Sequence, residues 1–341
     1  MKALVVRLSS IGDVVHTLPA LAALHRHGWE AGWLAEPPAR VLLDENPLVA
    51  QVLAAPSAKA FSWRAALSTL RQARASRFDA ALDFQGLWKS AAWARLSGAR
   101  QVVGWERKAR REPASALLLT RTVARVHGGH VIDKNLALLR GLGLEAVGTR
   151  EFPLPFAADS VARVDAGLRG LGESGLVLLN PGGGWASKLW APDRFGALAQ
   201  ALRRQALLCL VTYGPGEEAL AEQVVAASAG AARRSFPTTL LDYVELARRA
   251  RLVIAADTGP LHLACAVGTP VVALFGPTDP ARNGPFAADD VVVRRAPPCF
   301  PCYSRGCLRH AGVMAEITVV EVAEAATRRL ALAARTGTRA L

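Results

Sequence analysis

Side chains that could move a proton or hold an anion recur in this chain where an apolar run gives way to glycine and a helix begins. The fullest case is Ile254 to Pro280, which reads as strand, tight turn, helix, strand and loop. Leu252 to Ala255 suits a buried parallel strand, and Asp257-Thr258-Gly259-Pro260 breaks it. Leu261 to Val267 reads as a helix and Val271 to Phe275 as the next strand. Gly259 permits a tight backbone, and Pro260 suits the first turn of a helix. A helix that starts at the carboxyl end of a parallel strand presents free N–H groups and a positive dipole end, a ready place for a diphosphate. His262 lies in that first turn and could reach the same anion. A helix N-capped by Asp257 accounts for the same residues without a ligand.

Two further loops have this character. Asn180 to Lys188, N-P-G-G-G-W-A-S-K, follows the apolar run Leu176 to Leu179. It fails the P-loop spacing, yet it can bring backbone N–H groups and one ammonium to a phosphate. A surface loop that needs glycines for its path is the plainer reading. After Leu207 to Thr212, Tyr213 to Glu218 opens another helix. Glu217 there could accept from ribose hydroxyls or simply favour the helix N-terminus. Near the start of the chain, Ala3 to Val6 is a strand, followed by the loop Arg7-Leu8-Ser9-Ser10-Ile11-Gly12-Asp13. Its single glycine, Gly12, argues against a dinucleotide-binding turn, which wants G-x-G-x-x-G. Asp13 is then either a helix cap or a general base at the carboxyl edge of strand one.

The elements that must position these groups alternate between strand and helix, the pattern of an α/β protein. A helix follows Asp13 to about His27, with Pro19 either kinking it or sitting in a first turn after Thr17. Strands are predicted at Glu30 to Ala35, Val49 to Ala54, Ala80 to Asp83 and Val102 to Trp105, and a helix at Val131 to Leu142. Lys89, Lys108, Arg110 and Arg111 fall on strand-to-helix loops at the edge that carries Asp13, where an anionic acceptor could meet them; a solvated face is the alternative. Gly143 to Pro155 is the best linker. This divides the chain into a domain over residues 1–150, a second over 156–316, and a C-terminal helix over 317–341 able to pack back on the first. Thr239-Leu240-Leu241-Asp242 fits a capping box with Asp for Glu. Cys299, Cys302 and Cys307, with His310 nearby, resemble a small zinc site but lack the second paired spacing of a finger or ribbon; free thiols are the favoured reading. Cys209 and Cys265 sit in apolar runs and read as buried thiols.

The chain has 341 residues, 51% of them hydrophobic, enough for two ordinary cores. Its formal net charge of +13 favours an anionic partner: nucleic acid, a membrane surface or a phosphorylated substrate. No apolar stretch reaches membrane-spanning length and no signal peptide is visible, so a cytoplasmic protein, peripheral at most, is expected. Charge alone would allow a nucleic-acid binder, but there is no RNP motif, KH loop or aromatic-basic pattern.

Three motifs, in order, carry a resemblance. S-S-I-G-D-V-V-H-T-L-P-A-L from Ser9, the glycine loop with S-K-x-W-x-P, and D-T-G-x-x-H-x-A…P-V-V-A-L-F-G-P-T-D-P together resemble the ADP-heptose:lipopolysaccharide heptosyltransferases, from Met1 to about Ala334. D-F-Q-G-L-W-K-S at Asp83 and R-E-P at Arg111 are similar to heptosyltransferase I, and the Cys cluster to heptosyltransferase II. The resemblance implies a GT-B fold, two Rossmann-like domains with parallel sheets facing across a cleft, and inverting transfer from ADP-heptose to Kdo2-lipid A or the inner core. It implies Asp13 as base and Lys188 with the Thr258-Gly259 backbone on the diphosphate. Asp257, His262 and Gly183 would share that pocket, with Glu217 near the ribose and Thr238 near the adenosine. Arg7, Ser10, Gly12, Lys89 and Arg111 would face the acceptor. No metal or other cofactor is expected, since Lys188 and backbone donors supply the charge. The enzyme would sit peripherally on the inner face of the inner membrane. A relative with another nucleotide sugar or a heptosylated acceptor is the nearest rival, and a non-catalytic sugar-nucleotide binder a further one.

Overall fold

The computed structural model describes residues 1–57, 61–146, 150–171, 175–303 and 312–336. The chain forms two compact units, Met1–Phe156 and Ala157–Leu341. The first contains the strands β1 (Lys2–Val6), β2 (Glu30–Ala35), β3 (Val49–Ala54), β4 (Ala80–Asp83), β5 (Gln101–Trp105) and β6 (Arg121–Val123). Its helices are α1 (Ile11–Val15), α2 (Leu18–Arg26), α3 (Trp63–Ala75), α4 (Trp88–Leu96) and α5 (Val131–Leu138). Among the described residues the strands make one parallel sheet in the order β3-β2-β1-β4-β5-β6. The run predicted as one helix to His27 is two. Pro19 falls in the first turn of α2 behind Thr17, where its missing N–H costs no hydrogen bond.

The second unit repeats the plan with β7 (Leu176–Asn180), β8 (Leu208–Val211), β9 (Ala232–Arg234), β10 (Leu252–Ala256), β11 (Val271–Phe275) and β12 (Val291–Arg294). Its helices are α6 (Ala158–Leu168), α7 (Pro192–Arg203), α8 (Glu218–Ala227), α9 (Leu240–Arg249), α10 (Gly259–Ala266), α11 (Pro280–Asn283) and α12 (Val319–Thr336). The sheet order is β12-β11-β10-β7-β8-β9, the same doubly wound order read from the other side. In such a sheet the strand order reverses between the first and fourth strands, and the loops there diverge to leave a crevice at the carboxyl edge. Those strand pairs are β1 with β4, where Val6 pairs with Asp83, and β7 with β10, where Asn180 pairs with Ala255.

The central strands are apolar runs buried on both faces, as parallel strands must be. Each unit has its own core. Leu4, Val6, Leu34 and Val102 lie in the first. Val177, Ile254, Phe195 and Leu202 lie in the second. The C-terminal helix α12 packs on the second unit: Val322, Ala325 and Ala326 enter that core, and its Arg329 pairs with Asp290 at 2.9 Å, both side chains buried. Among the described residues no helix is long and apolar enough to cross a membrane.

Candidate functional site

In the second unit the segments after β7, β10 and β11 meet around Asp257, and the loop after β8 holds the glycine loop that follows β7. Asp257 is not the N-cap of α10. Thr258 holds that position in extended backbone, and its own hydroxyl turns back to the Ala256 carbonyl. The Asp257 carboxylate is instead a buried hub. Oδ2 accepts from Lys188 Nζ at 2.5 Å and from the Thr278 hydroxyl at 2.7 Å. Oδ1 accepts from Asn283 Nδ2 at 2.6 Å and lies 3.2 Å from His262 Nε2. Burial resists ionisation of this carboxyl, but the hydrogen bond and charge of His262, then those of Lys188, hold it well below the usual carboxylate range. Lys188 also donates to the Asp257 carbonyl at 3.3 Å and lies 4.3 Å from the Trp185 ring centroid, a cation–π contact. Beside this pair α10 presents its first turn, whose leading N–H groups have no intrahelical acceptor.

The glycine loop after β7 runs close to two neighbours. A Cβ on Gly182 would come within 2.1 Å of Glu217 Oε2, and one on Gly183 within 2.8 Å of Thr258 Cγ2. Glu217 clips the loop: its Oε1 accepts the Gly183 N–H at 3.0 Å and its Oε2 the Gly214 N–H at 2.9 Å. It is the N-cap residue of α8, and its carboxylate fastens backbone. Thr238 lies in the loop after β9, half-buried, at the same edge of the sheet, and makes none of the hydrogen bonds that tie the hub together. Thr239 and Asp242 form the expected capping box on α9.

In the first unit, Asp13 stands in α1 at the carboxyl end of β1. Its Oδ1 accepts from Arg7 Nη2 at 2.5 Å, and its Oδ2 from the Ser10 N–H at 3.2 Å and the Ser10 hydroxyl at 3.1 Å. Asp13 therefore completes a cap on α1, while its side chain remains 38% exposed. The Ser9–Ser10 peptide is cis. Arg7, expected among acceptor contacts, is buried under Asp13. Its Nη1 donates to the Phe84 carbonyl at 2.5 Å, so the guanidinium is fixed between that carbonyl and the Asp13 carboxylate. Gly12 is buried within α1.

The loop after β4 braces this arrangement. Gln85 Oε1 accepts the Leu8 N–H at 2.9 Å, and Asp83 Oδ1 accepts the N–H groups of Gln85 and Gly86. Asp83 also pairs with Arg110, both side chains fully buried. Of the basic residues on this edge, Arg110 is thus structural, Lys89 pairs with Glu36, and Arg111 is exposed and forms no ion pair among the described residues.

Sequence reasoning reached Asp257, His262 and Lys188 but not Thr278 or Asn283, which complete the hub. Thr278 stood inside the G-P-T-D-P motif and could have been suspected; Asn283 carried no signal. Of the cysteines, Cys209 and Cys265 are buried free thiols, Cys299 is exposed and Cys302 half-buried, and Cys307 and His310 lie outside the described residues. Among the described residues no group of three His, Cys, Asp or Glu is arranged to hold a metal.

Residues 66–311 match the family model of glycosyltransferase family 9 (heptosyltransferase). Lipopolysaccharide heptosyltransferase 1 of Pseudomonas aeruginosa is 31% identical over 90% of this chain and 87% of its own length. Lipopolysaccharide heptosyltransferase 3 of Escherichia coli K12 is 26% identical, over 79% and 80%. Among solved structures, E. coli heptosyltransferase WaaC with ADP superposes with a TM-score of 0.77 at 23% identity, covering 96% of this chain and all of that one. E. coli ADP-heptose lps heptosyltransferase II superposes at 0.76 and 20% identity, covering 97% and 99%. These two likenesses are of fold.

Proposed function

The chain belongs to glycosyltransferase family 9, the heptosyltransferases, with their GT-B fold, and from that premise we propose that it moves a heptose from ADP-L-glycero-D-manno-heptose to the Kdo region of the lipopolysaccharide inner core, with inversion. The observation that carries the reading is a matched pair of sites: a fixed, half-exposed carboxylate at the crevice of the first sheet, and a cation beside a helix N-terminus at the crevice of the second.

In the proposed reaction Asp13 takes the proton of an acceptor hydroxyl as that oxygen attacks the anomeric carbon from one face. The bond from that carbon to the diphosphate oxygen breaks on the other face, and ADP leaves. Arg7 and Ser10 donate three hydrogen bonds to the Asp13 carboxylate and hold it in place at the sheet edge. Charge gathers on the leaving diphosphate, where Lys188 and the first turn of α10 are already oriented. An ammonium has three N–H donors, and the Asp257 carboxylate and carbonyl occupy two of them. Because these groups supply the positive charge, transfer is expected to run in EDTA.

The test is transfer from ADP-heptose to Kdo2-lipid A by the purified protein in EDTA, beside Asp13→Ala. Wild-type turnover with the variant slowed at least about a hundredfold is the expected result. Turnover that survives loss of Asp13 removes it as the base. Activity only with EDTA omitted overturns the metal-free chemistry. Transfer only to an acceptor already carrying heptose, or only from a UDP-sugar, replaces the acceptor or the donor in this reading.

A further inference from the structure

Three large apolar side chains at the start of α3 are left in water. Trp63 is 75% exposed, Leu67 51% and Phe61 50%, and the Phe61 and Trp63 rings stack edge to face with centroids 4.8 Å apart. The buried side of α3 is formed by Ala66, Thr69 and Ala73, so Trp63 and Leu67 belong to its outer flank. Residues four apart share a helix face, and the exposed Arg64 and Arg71 are seven apart beside them. From Phe61 to Phe78 the chain carries Arg64, Arg71, Arg74 and Arg77 and no acidic residue. Arg74 is partly committed, its Nε donating to the Leu96 carbonyl at 3.0 Å. Arg64 and Arg71 form no ion pair among the described residues.

The position of this flank matters as much as its composition. The Thr69 hydroxyl donates to the Ala54 carbonyl at 2.7 Å, at the carboxyl end of β3. Trp63 lies six residues earlier in the helix, about 9 Å along its axis, so the aromatic end of α3 projects beyond the sheet edge that also carries Asp13. A wide apolar stripe of Trp, Phe and Leu flanked by arginine is the make-up of a helix that lies in a lipid headgroup layer. Arginine can extend its charge to phosphate while its stem stays on the apolar side.

We propose that Phe61, Trp63 and Leu67, with Arg64 and Arg71, form the surface by which this protein docks on an anionic phospholipid bilayer. The proposal rests on the lipid-linked acceptor of the reading above: an acceptor sugar at Asp13 whose acyl chains stay in a membrane requires a bilayer-facing surface on that edge of the first unit. A protein partner fits less well, since the flank offers the cations Arg64 and Arg71 and no acid to a surface of mixed charge.

The test measures co-sedimentation of the full chain with vesicles of phosphatidylethanolamine and phosphatidylglycerol, beside vesicles of phosphatidylcholine alone. Wild type should bind the anionic vesicles, less so as salt is raised. The double variant Trp63→Ser, Leu67→Ser should bind them at least about tenfold more weakly, and Trp63→Phe should retain binding. Both should transfer heptose to a deacylated, water-soluble acceptor at the wild-type rate. The double variant binding as wild type does, wild type failing to bind anionic vesicles, or the double variant changing the oligomeric state of the protein in lipid-free solution would each overturn the proposal. If no form transfers to the soluble acceptor yet the double variant alone loses vesicle binding, the catalytic reading fails and the docking surface stands.

Discussion

Asp257 is unusual among the polar residues of this chain because nearly everything around it is a donor. Lys188 and Thr278 bind one oxygen, Asn283 and His262 the other, and the group is buried. Removing one partner of such a pair leaves an uncompensated charge out of water. Asp257→Asn is therefore expected to lower unfolding stability by about 3–5 kcal/mol, with Asp257→Asn, Lys188→Met losing less than the two single losses summed. Denaturant unfolding measures both. The pH dependence follows from the direction of the shift. The folded carboxyl ionises below its unfolded value of about 4, so its contribution is complete above that pH and is lost as the pH falls through the lower, folded value. The stability gap between wild type and Asp257→Asn should close as the pH falls through the acid range below about 4. A gap that stayed open in strong acid would show that the carboxylate is not held by these donors.

At the scale of elements, the glycine loop is shaped by contact rather than by dihedral angle. Neither Gly182 nor Gly183 has positive φ; each is small because Glu217 or Thr258 stands where a Cβ would go. Glu217→Gln keeps the shape but turns an amide N–H₂ toward one of the two N–H groups it accepts. The expected cost is about 1–3 kcal/mol in denaturant unfolding, together with weaker ADP binding by calorimetry. Unchanged ADP affinity would separate the clip from the nucleotide pocket. Such contacts explain what a sequence discloses. Strands buried on both faces, such as Leu252–Ala256 and Val271–Phe275, are legible as apolar runs within a residue of their true ends. The outer strands β6 and β9 escape that reading because charged and exposed residues leave no apolar run to read, and β12 escapes it as a run of only three valines before Arg294. The helix α3 escapes it too: its apolar residues divide between a core-facing side and a flank in water, which blurs the helical period. In the candidate sites of the two units, Asp13 in the first and Lys188, Asp257 and His262 in the second stand at breaks between periodic segments and are legible there. Arg7 is legible as a cation but not as a buried one, since its burial comes from Phe84, seventy-seven residues away. Asn283 meets Asp257 only through the turn of β11 back into α11.

For the whole molecule, the same strand order occurs twice, and each sheet draws all its described strands from one stretch of chain. Each half buries its own set of apolar side chains, and α12 adds to the second. The segment 157–341 expressed alone is thus expected to unfold in one cooperative thermal transition, with a midpoint that rises when ADP is added. Broad, non-cooperative melting would mean that its core is incomplete without residues 1–156. That no described strand of the first sheet comes from the second half has a consequence in time. As the chain leaves the ribosome, the last strand of the first sheet, β6, is complete at Val123, long before β7 begins at Leu176. The half bearing Asp13 can close its core while the half bearing Lys188 and Asp257 is still being translated.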